Sequence, residues 1–589
     1  MKKKKYWIAG ALAVYACLCV AVVAGWIGSP AEETAPSGTS EAVQEVTVPE
    51  EKPSPASDRD FSVVENELEY RGGSQAGIYV RSEDVLVDEN DKISILSRYA
   101  LPALERMSEE DQQELMGELQ VLKKIEVLGI DTDVFYTPEF NWKQIYNESL
   151  TTVEDALNFE EIVEFNGTSA SELNAFMQGK SGVTILVTQP QINLDETIKV
   201  PSNVVLDGQG ALVTGENNVQ YAFLLDGVEN VGIHDFHLNG GFQYGIYVVQ
   251  SSKVLLANNE IAEAVYKAVC VMGENTYINM VGNSIHDNGN GAIFMDGNIS
   301  RCILQENDVY QNRGTRNLTA GIVLSSMPTE NLYDAYNPFL DEHLYDLTEA
   351  PHDNVLRDNI VQGNYSSGIY SDGGYMNYII GNTIEENEKE GMCLDYGTFG
   401  TYVSANTIQG NGNRDRQTDE DLEADFVLEA GRLEDGSSPL KLPGVSIDNS
   451  AYNIVSDNLI RENAGSGVKV VRSGYRNIVL ENLIVDNSKG TNDNYHGFGV
   501  ELGYASTPDQ PVKGLDFTPS YENIVARNIV SGAHYSGIFL AQDSYCNDLI
   551  DNVIMGATDF SIENHSTYFN SGVGNNYNLP TLDFPLPTE

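Results

Sequence analysis

The sequence predicts a mainly β protein in which short parallel strands wind into a solenoid of about twelve coils. Asn259, Asn283 and Asn307 stand 24 residues apart, each followed two residues later by Ile261, Ile285 or Val309. The same Asn-x-apolar unit returns at Asn359, Asn382, Asn406, Asn458, Asn482, Asn528 and Asn552. Each period holds three short runs of alternating character, as in Gly368 to Asp372, Asn377 to Ile380 and Thr383 to Glu385. Three strands per period leave no room for a helix, which is the layout of a parallel β-solenoid.

The longer gaps of 52, 52 and 46 residues are single periods that carry inserted loops. Asp235, one period before Asn259, extends the series upstream. An Asn at a recurring corner tolerates the left-handed turn conformation, and its amide hydrogen-bonds to the Asn stacked above it.

The elements ahead of the solenoid follow in order. Lys2 to Lys5 precede Tyr6 to Gly28, a stretch of 23 residues without a charge. At 1.5 Å per residue such a stretch spans about 30 Å of hydrocarbon, so residues 1–28 read as a transmembrane signal-anchor. The lysines place its start in the cytoplasm, giving a single-pass cell-membrane protein with the bulk of the chain extracellular. Ser29-Pro30-Ala31 leaves open a cleavage that would release a secreted form. Residues 29–60, rich in Pro, Ser, Thr, Ala and Glu, form a disordered, solvated linker. Residues 61–167 read as a small mixed α/β domain with an amphipathic helix from Ser108 to Leu128 and no assignable function. Thr168-Ser169, then Ser171 to Met177 and Gly179, mark a short capping helix before a first strand at Val183 to Val187. The solenoid takes residues 168–577, and 578–589 are a tail.

Composition narrows the function classes. With 34 basic against 87 acidic side chains the net charge is −53, which argues against nucleic acid and anionic lipid as partners. Six cysteines in 589 residues make no disulfide scaffold. Cys270 and Cys393 share one face several coils apart and read as packing groups. His496 and His534 precede strands of that same face and read as surface groups or as supports behind the site.

Only outward side chains and inserted loops of a solenoid meet a ligand. On the strand opening with Gly368, alternation turns Ile369 and Ser371 inward and Tyr370 and Asp372 outward. Following those positions up the coils gives Phe294/Asp296, Val323/Ser325, Tyr370/Asp372, Cys393/Asp395, Ser446/Asp448, Lys469/Val471 and Glu501/Gly503. Asp372, Asp395 and Asp448 thus stack on consecutive coils, with Lys469 and Glu501 just above. Insertions at 325–352, 412–443, 488–496 and 504–521 flank the same strand and wall it.

Asp226-Gly227, Asp296-Gly297 and Asp372-Gly373 are also ordinary turn dipeptides, so a structural reading of these aspartates stands beside a catalytic one. Asp395 and Asp448 have no following Gly. Like charges on adjacent coils raise at least one pKa, which makes a carboxyl a general acid near neutral pH. The catalytic candidates are Asp372, Asp395, Asp448, Lys469 and Glu501. Tyr370, Tyr396 and Phe399 offer stacking faces for a sugar, and Lys469 or Arg472 a hydrogen bond to it. Asp372 and Asp448, two coils apart, lie about 9.6 Å from each other at the backbone, near the spacing of inverting hydrolysis, while adjacent aspartates at about 4.8 Å approach the retaining spacing.

With this repeat, the chain resembles the right-handed parallel β-helix proteins of the pectin-lyase-like superfamily from Val183 to Tyr577. The resemblance implies a right-handed winding and action on a polysaccharide or cell-surface glycan. Asp on successive coils and Val468-Lys469-Val470 resemble polygalacturonases, whose Asp-Asp pair and Gly-His-Gly are missing here, as is the Asp-Pro-His of alginate epimerases. In calcium-dependent lyases of this fold stacked acids hold the ion and a Lys or Arg is the base. On that pattern Asp372, Asp395 and Asp448 would take Ca²⁺, with Lys469 as base. The strong negative charge favours a neutral glycan and a glycoside hydrolase without a cofactor. A calcium-dependent lyase or epimerase, and a non-catalytic glycan-binding rod, are the alternatives.

Overall fold

The structure is a computed structural model. It describes strands between Asp60 and Thr137 and residues 141–577, apart from 217, 315–316, 327–349, 396, 414–441, 473, 488–496, 504–519, 533, 542–543, 559 and 567–569. Residues 1–53 separate as a unit of their own, outside the described residues and with them the expected anchor; Ser54–Glu589 is the second unit. Among the described residues no helix is long and apolar enough to cross a membrane.

Thirteen parallel strands form one continuous sheet, from Ile198–Lys199 through Ile369–Asp372 to Phe560–Asn564. The remaining strands of each coil stack in the same parallel manner, as Tyr378–Ile380 does on Val355–Arg357 and Thr383–Glu385 on Ile360–Gln362. The solenoid therefore has one coil more than the repeat suggests. Its lower coils lack the corner Asn: Phe236 fills that place, and its backbone N–H donates to Asn259 Oδ1 at 3.1 Å. Asp235 stands one residue earlier, in the left-handed conformation with φ of 58°, and is no member of the ladder. The stack also begins sooner, because Glu161–Phe165 pairs in parallel with Val183–Val187.

The interior is a single column of aliphatic side chains, with Ile369, Met392, Leu394, Val445, Ile447, Val468 and Val470 fully buried from the thirteen-stranded sheet alone. Its lower end is closed by the helix Ala170–Met177, whose Leu173 and Met177 enter the core. Ser169 Oγ accepts from Glu172 N at 3.2 Å and Glu172 Oε2 accepts from Thr168 N at 2.7 Å, a reciprocal cap.

Asparagines hold the corners. Asn382 Nδ2 donates to Leu356 O and to Asn406 Oδ1, both at 3.0 Å, while its own Oδ1 accepts from Asn359 N at 2.9 Å. Three such ladders run up the stack. A second lies five residues on, as in Asn288 to Asn312, and a third five residues before, as in Asn354 to Asn377. The left-handed residue is the one preceding the ladder Asn, such as Gly381 (φ 68°) or Glu481 (φ 54°), which frees the Asn side chain to bridge coils. At the top of the second ladder His534 replaces Asn, and its Nε2 accepts from Asn487 N at 3.2 Å. His534 is 1% exposed, so the surface reading is corrected; His496 lies outside the described residues.

Ahead of the stack, Lys123–Glu126 is a strand paired antiparallel with Val134–Thr137, so the expected helix from Ser108 does not reach Leu128. The β-forming Val134, Phe135, Tyr136 and Thr137 supply the partner that alternation alone did not reveal. A helix does occur at Asn141–Ala156. It docks on the solenoid's side: Tyr146 Oη donates to Gln305 Oε1 at 2.6 Å, Ser149 Oγ to Asn279 Oδ1 at 2.8 Å, and Arg301 pairs with Glu148 at 2.7 Å.

Candidate functional site

The strand register places the outward residues as alternation predicts. One column runs Leu224, Tyr247, Cys270, Phe294, Val323, Tyr370, Cys393, Ser446, Lys469, Glu501 and Phe539. The neighbouring column holds Asp296, Ser325, Asp372 and Asp395 in sequence. Asp448 follows, since Leu394 pairs with Ile447 one residue before. All three aspartates lie on the face opposite Ile369, Met392, Leu394, Val445 and Ile447, which fill the core. Lys469 and Glu501 stand in the tyrosine's column; the residue above Asp448 is Val471.

This outward face is covered rather than open. Asp395 is 3% exposed and Asp448 8%, while Asp372 keeps a partial opening to solvent. Tyr370 Oη donates to Asp395 Oδ2 at 2.7 Å. Arg472 Nη1 lies 3.1 Å from Asp448 Oδ2, and the other oxygen, Oδ1, is buried with no hydrogen-bond partner. Lys469 Nζ pairs with Glu501 Oε1 at 3.0 Å, and Ser466 Oγ donates to Glu501 Oε2 at 2.7 Å. Glu390, fixed by Ser367 Oγ at 2.9 Å, adds a further negative charge near Asp448.

These surroundings separate the carboxyls. Burial, then the Asp296 charge, pushes Asp372 up to about 7. Burial raises Asp448 to about 6, and the Arg472 and Lys469 cations hold it from going higher. Asp395 rises well above the ordinary carboxylate range through burial first and the Asp448 charge second, against the Tyr370 hydrogen bond. Burial likewise drives the Tyr370 hydroxyl well above 10, which leaves it a neutral donor.

Several expected roles change. Tyr370 is 1% exposed, its ring packed with Ala320, Val323 and Cys393, so it offers a hydroxyl and no stacking face. Phe399 belongs to a corner: Thr398 Oγ sits 3.0 Å from Ser371 O and 2.9 Å from Asp395 O and turns the chain away. Phe399 then bridges Tyr375 and Ala451, with its ring 4.9 Å from Tyr452. Arg472, expected to meet substrate, reaches Asp448 instead. Tyr396 and nearly all of the inserted loops lie outside the described residues. Asp296, Ser325 and Glu390 join the site unforeseen. Asp296 was visible in the column but sits in an Asp-Gly turn pair, and Glu390 precedes the alternating strand.

Calcium takes hard oxygen donors, and Asp372, Asp395, Asp448 and Ser325 supply them, with Asp448 Oδ1 uncommitted. The guanidinium on Asp448 and the engagement of Lys469 with Glu501 weigh against the calcium-and-lysine role set. Among the described residues, the group of potential metal ligands on side-chain geometry is Asp207, His234 and Asp235, low on the stack and away from these acids.

Residues 221–408 match the family described as right handed beta helix region, and residues 347–508 match the family described as periplasmic copper-binding protein (NosD). No curated protein matches the chain. Among solved structures it is similar to the A-module of mannuronan C-5 epimerase AlgE6 from Azotobacter vinelandii, at 15% identity over 73% of this chain and 99% of that one, with a TM-score of 0.44. It is similar also to the catalytic domain of a GH87 alpha-1,3-glucanase, at 12% identity over 71% of this chain and 69% of that one, with a TM-score of 0.35. A third is the Dettilon tailspike protein gp208, at 15% identity over 57% of this chain and 64% of that one, with a TM-score of 0.37. With residues 221–408 matching that model and thirteen strands stacked in parallel, the chain has the right-handed parallel β-helix fold.

Proposed function

We propose that this β-helix hydrolyses glycosidic bonds of a polysaccharide on the outward face of its thirteen-stranded sheet. The observation that carries the reading is a pair of shielded carboxyls two strand steps apart, both raised by burial: Asp372, with no cation placed on it among the described residues, and Asp448, held by Arg472. Asp372 is the one to hold a proton and Asp448, facing the Arg472 cation, the one to ionise, which are the states a general acid and a general base need. Asp372 gives its proton to the leaving glycosidic oxygen. Asp448, held through Oδ2 by Arg472, takes a proton from water through its uncommitted Oδ1. Two strand steps are about 9.6 Å, at the upper end of the separation that admits a water between the carboxyls, so the anomeric centre inverts. Asp395, buried between them, accepts from Tyr370 and is raised well above the ordinary carboxylate range.

Calcium-dependent elimination is the second reading, favoured by Asp448 Oδ1 and the two neighbouring carboxyls. Loss of turnover on chelation, with an unsaturated product, would select it. Copper is named in the NosD family; among the described residues of the match, Cys393 is buried with its thiol well above 9 and His352 is engaged with Asp353. The acidic chain, an anchor at Tyr6 to Gly28 and the spacer after it suit a stack displayed outside the cell, where such polymers occur. Turnover of a polysaccharide panel by the full chain, with Asp372→Asn and Asp448→Asn, tests the hydrolase. Each substitution should cost about 10²–10⁴-fold in kcat, and product NMR should show inversion. Unchanged turnover in both variants would overturn it.

A further inference from the structure

The same outward face carries a second feature, below the acids. Tyr221 and Tyr244 are paired in register on adjacent strands, Tyr247 stands beside them, and Tyr266 follows on the next turn of chain. Their rings cluster, with centroids 4.5 Å apart for Tyr221–Tyr247, 5.5 Å for Tyr244–Tyr266 and 5.7 Å for Tyr244–Tyr247. Tyr266 is 43% exposed and its neighbour Val265 48%, while Tyr221, Tyr244 and Tyr247 are half-buried.

The corner tyrosines do something different. Tyr475, Tyr521 and Tyr545 lie nearly parallel, at 5° and 8°, each ring covering the next. The rings of the lower cluster are inclined at 37° to 77°, so they do not stack face on face, and Tyr266 is 43% exposed. Corner rings therefore pack on one another, and face rings present surface.

That cluster stands in line with the acids, over a buried apolar column. Tyr247 shares the column of Cys270, Phe294, Val323 and Tyr370, four strand steps or about 19 Å below the last. Phe294 and Asp296 share a strand, so the apolar floor under the tyrosines runs directly into the first acid. Lys267, the nearby cation, is committed to the Asn290 and Leu318 carbonyls at 3.0 and 2.6 Å. Clustered aromatic rings with hydroxyl rims, and no uncommitted cation beside them among the described residues, suit the apolar faces of uncharged sugar rings, and a chain of −53 repels an anionic polymer.

We propose that Tyr221, Tyr244, Tyr247 and Tyr266 form a distal subsite that holds a neutral polysaccharide along the sheet, several sugar units from the bond placed at Asp372. The location of that bond rests on the hydrolase reading above; the binding of glycan at the tyrosines does not. The full chain carrying Asp372→Asn is run in affinity gel electrophoresis through soluble β-glucan, α-glucan, mannan and xylan. Retardation by at least one is expected, weakened about tenfold by Tyr244→Ala or Tyr266→Ala and preserved by Tyr266→Phe. Leu483→Ala, at an exposed apolar position on another side of the coil, should leave retardation unchanged. Equal retardation of the alanine variants and the parent, with their folding verified by thermal denaturation, would overturn the subsite. Retardation by none of the four, or only by a polyuronate, would overturn the neutral glycan. Tyrosine-dependent retardation without turnover by the unsubstituted chain would sink the hydrolase and leave the subsite standing.

Discussion

At the corners of the β-helix each coil repeats the one below it: the bonds of Asn382 to Leu356 O and Asn406 Oδ1 recur at Asn406, to Ile379 O and Asn458 Oδ1, both at 2.9 Å. On the outward face of the thirteen-stranded sheet the same winding sets Leu224, Tyr247, Cys270, Phe294, Val323 and Tyr370 at one position, with no residue type twice running. The corner must satisfy backbone groups shut away from water, and Asn is the side chain that does so from coil to coil. The face owes the backbone nothing. Three successive aspartates there serve no shared backbone demand, and their mutual repulsion makes them the exception that asks for a function.

The largest effect should follow from breaking a corner. Asn382→Leu strips the acceptor from Asn359 N and the donor from Leu356 O, both buried, at about 1–3 kcal/mol for each group. Chemical denaturation should show a loss of several kcal/mol or failure to fold. On the face, Asp372→Asn removes a charge that burial and Asp296 oppose, so stability should hold or rise. Turnover should nonetheless fall about 10²–10⁴-fold. A corner variant as stable as the parent would end the contrast.

The contrast also explains what was legible in the sequence. Periodicity exposes whatever every coil must repeat, so the fold, the first asparagine ladder and the alignment of Asp372, Asp395 and Asp448 could be read directly. The second and third ladders were equally visible, in pairs such as Asn283/Asn288 and Asn354/Asn359, and the single Asn-x-apolar unit concealed them. Alternation says which side of a strand a residue takes, but not what lies over it. Tyr370 was correctly placed outward, and its burial depends on neighbours that alternation does not report. Phe399 was misplaced because the strand ends at Asp395 and the turn at Thr398 breaks the count of two.

Acidity should divide face from corner with opposite signs. Asp372 and Asp448 have folded pKa values of about 7 and about 6, above the unfolded value of 3.8. The folded state thus holds more protons, and their contribution is present in full below about pH 4 and lost as pH rises to about 7. Thermal denaturation across that range should show a loss of several kcal/mol, smaller in the Asp372→Asn, Asp448→Asn double variant, where the raised Asp395 remains. The same pair predicts turnover highest between about pH 6 and 7, falling on either side.

The smallest effect belongs to the one histidine within a ladder. His534 accepts from Asn487 N through Nε2, which requires the neutral ring with its proton on Nδ1. Burial lowers its pKa to about 4, below the unfolded 6.5. Between those values the unfolded chain binds the extra proton, so this contribution is complete above about pH 6.5 and lost as pH falls through 4. His534→Asn restores the residue used at every lower step of that ladder and removes the titration. The two proteins should be nearly equal in stability at pH 7, and the variant should gain on the order of 1–2 kcal/mol by pH 5. Identical denaturation curves at both pH values would mean that the ring does not stand in for an asparagine there.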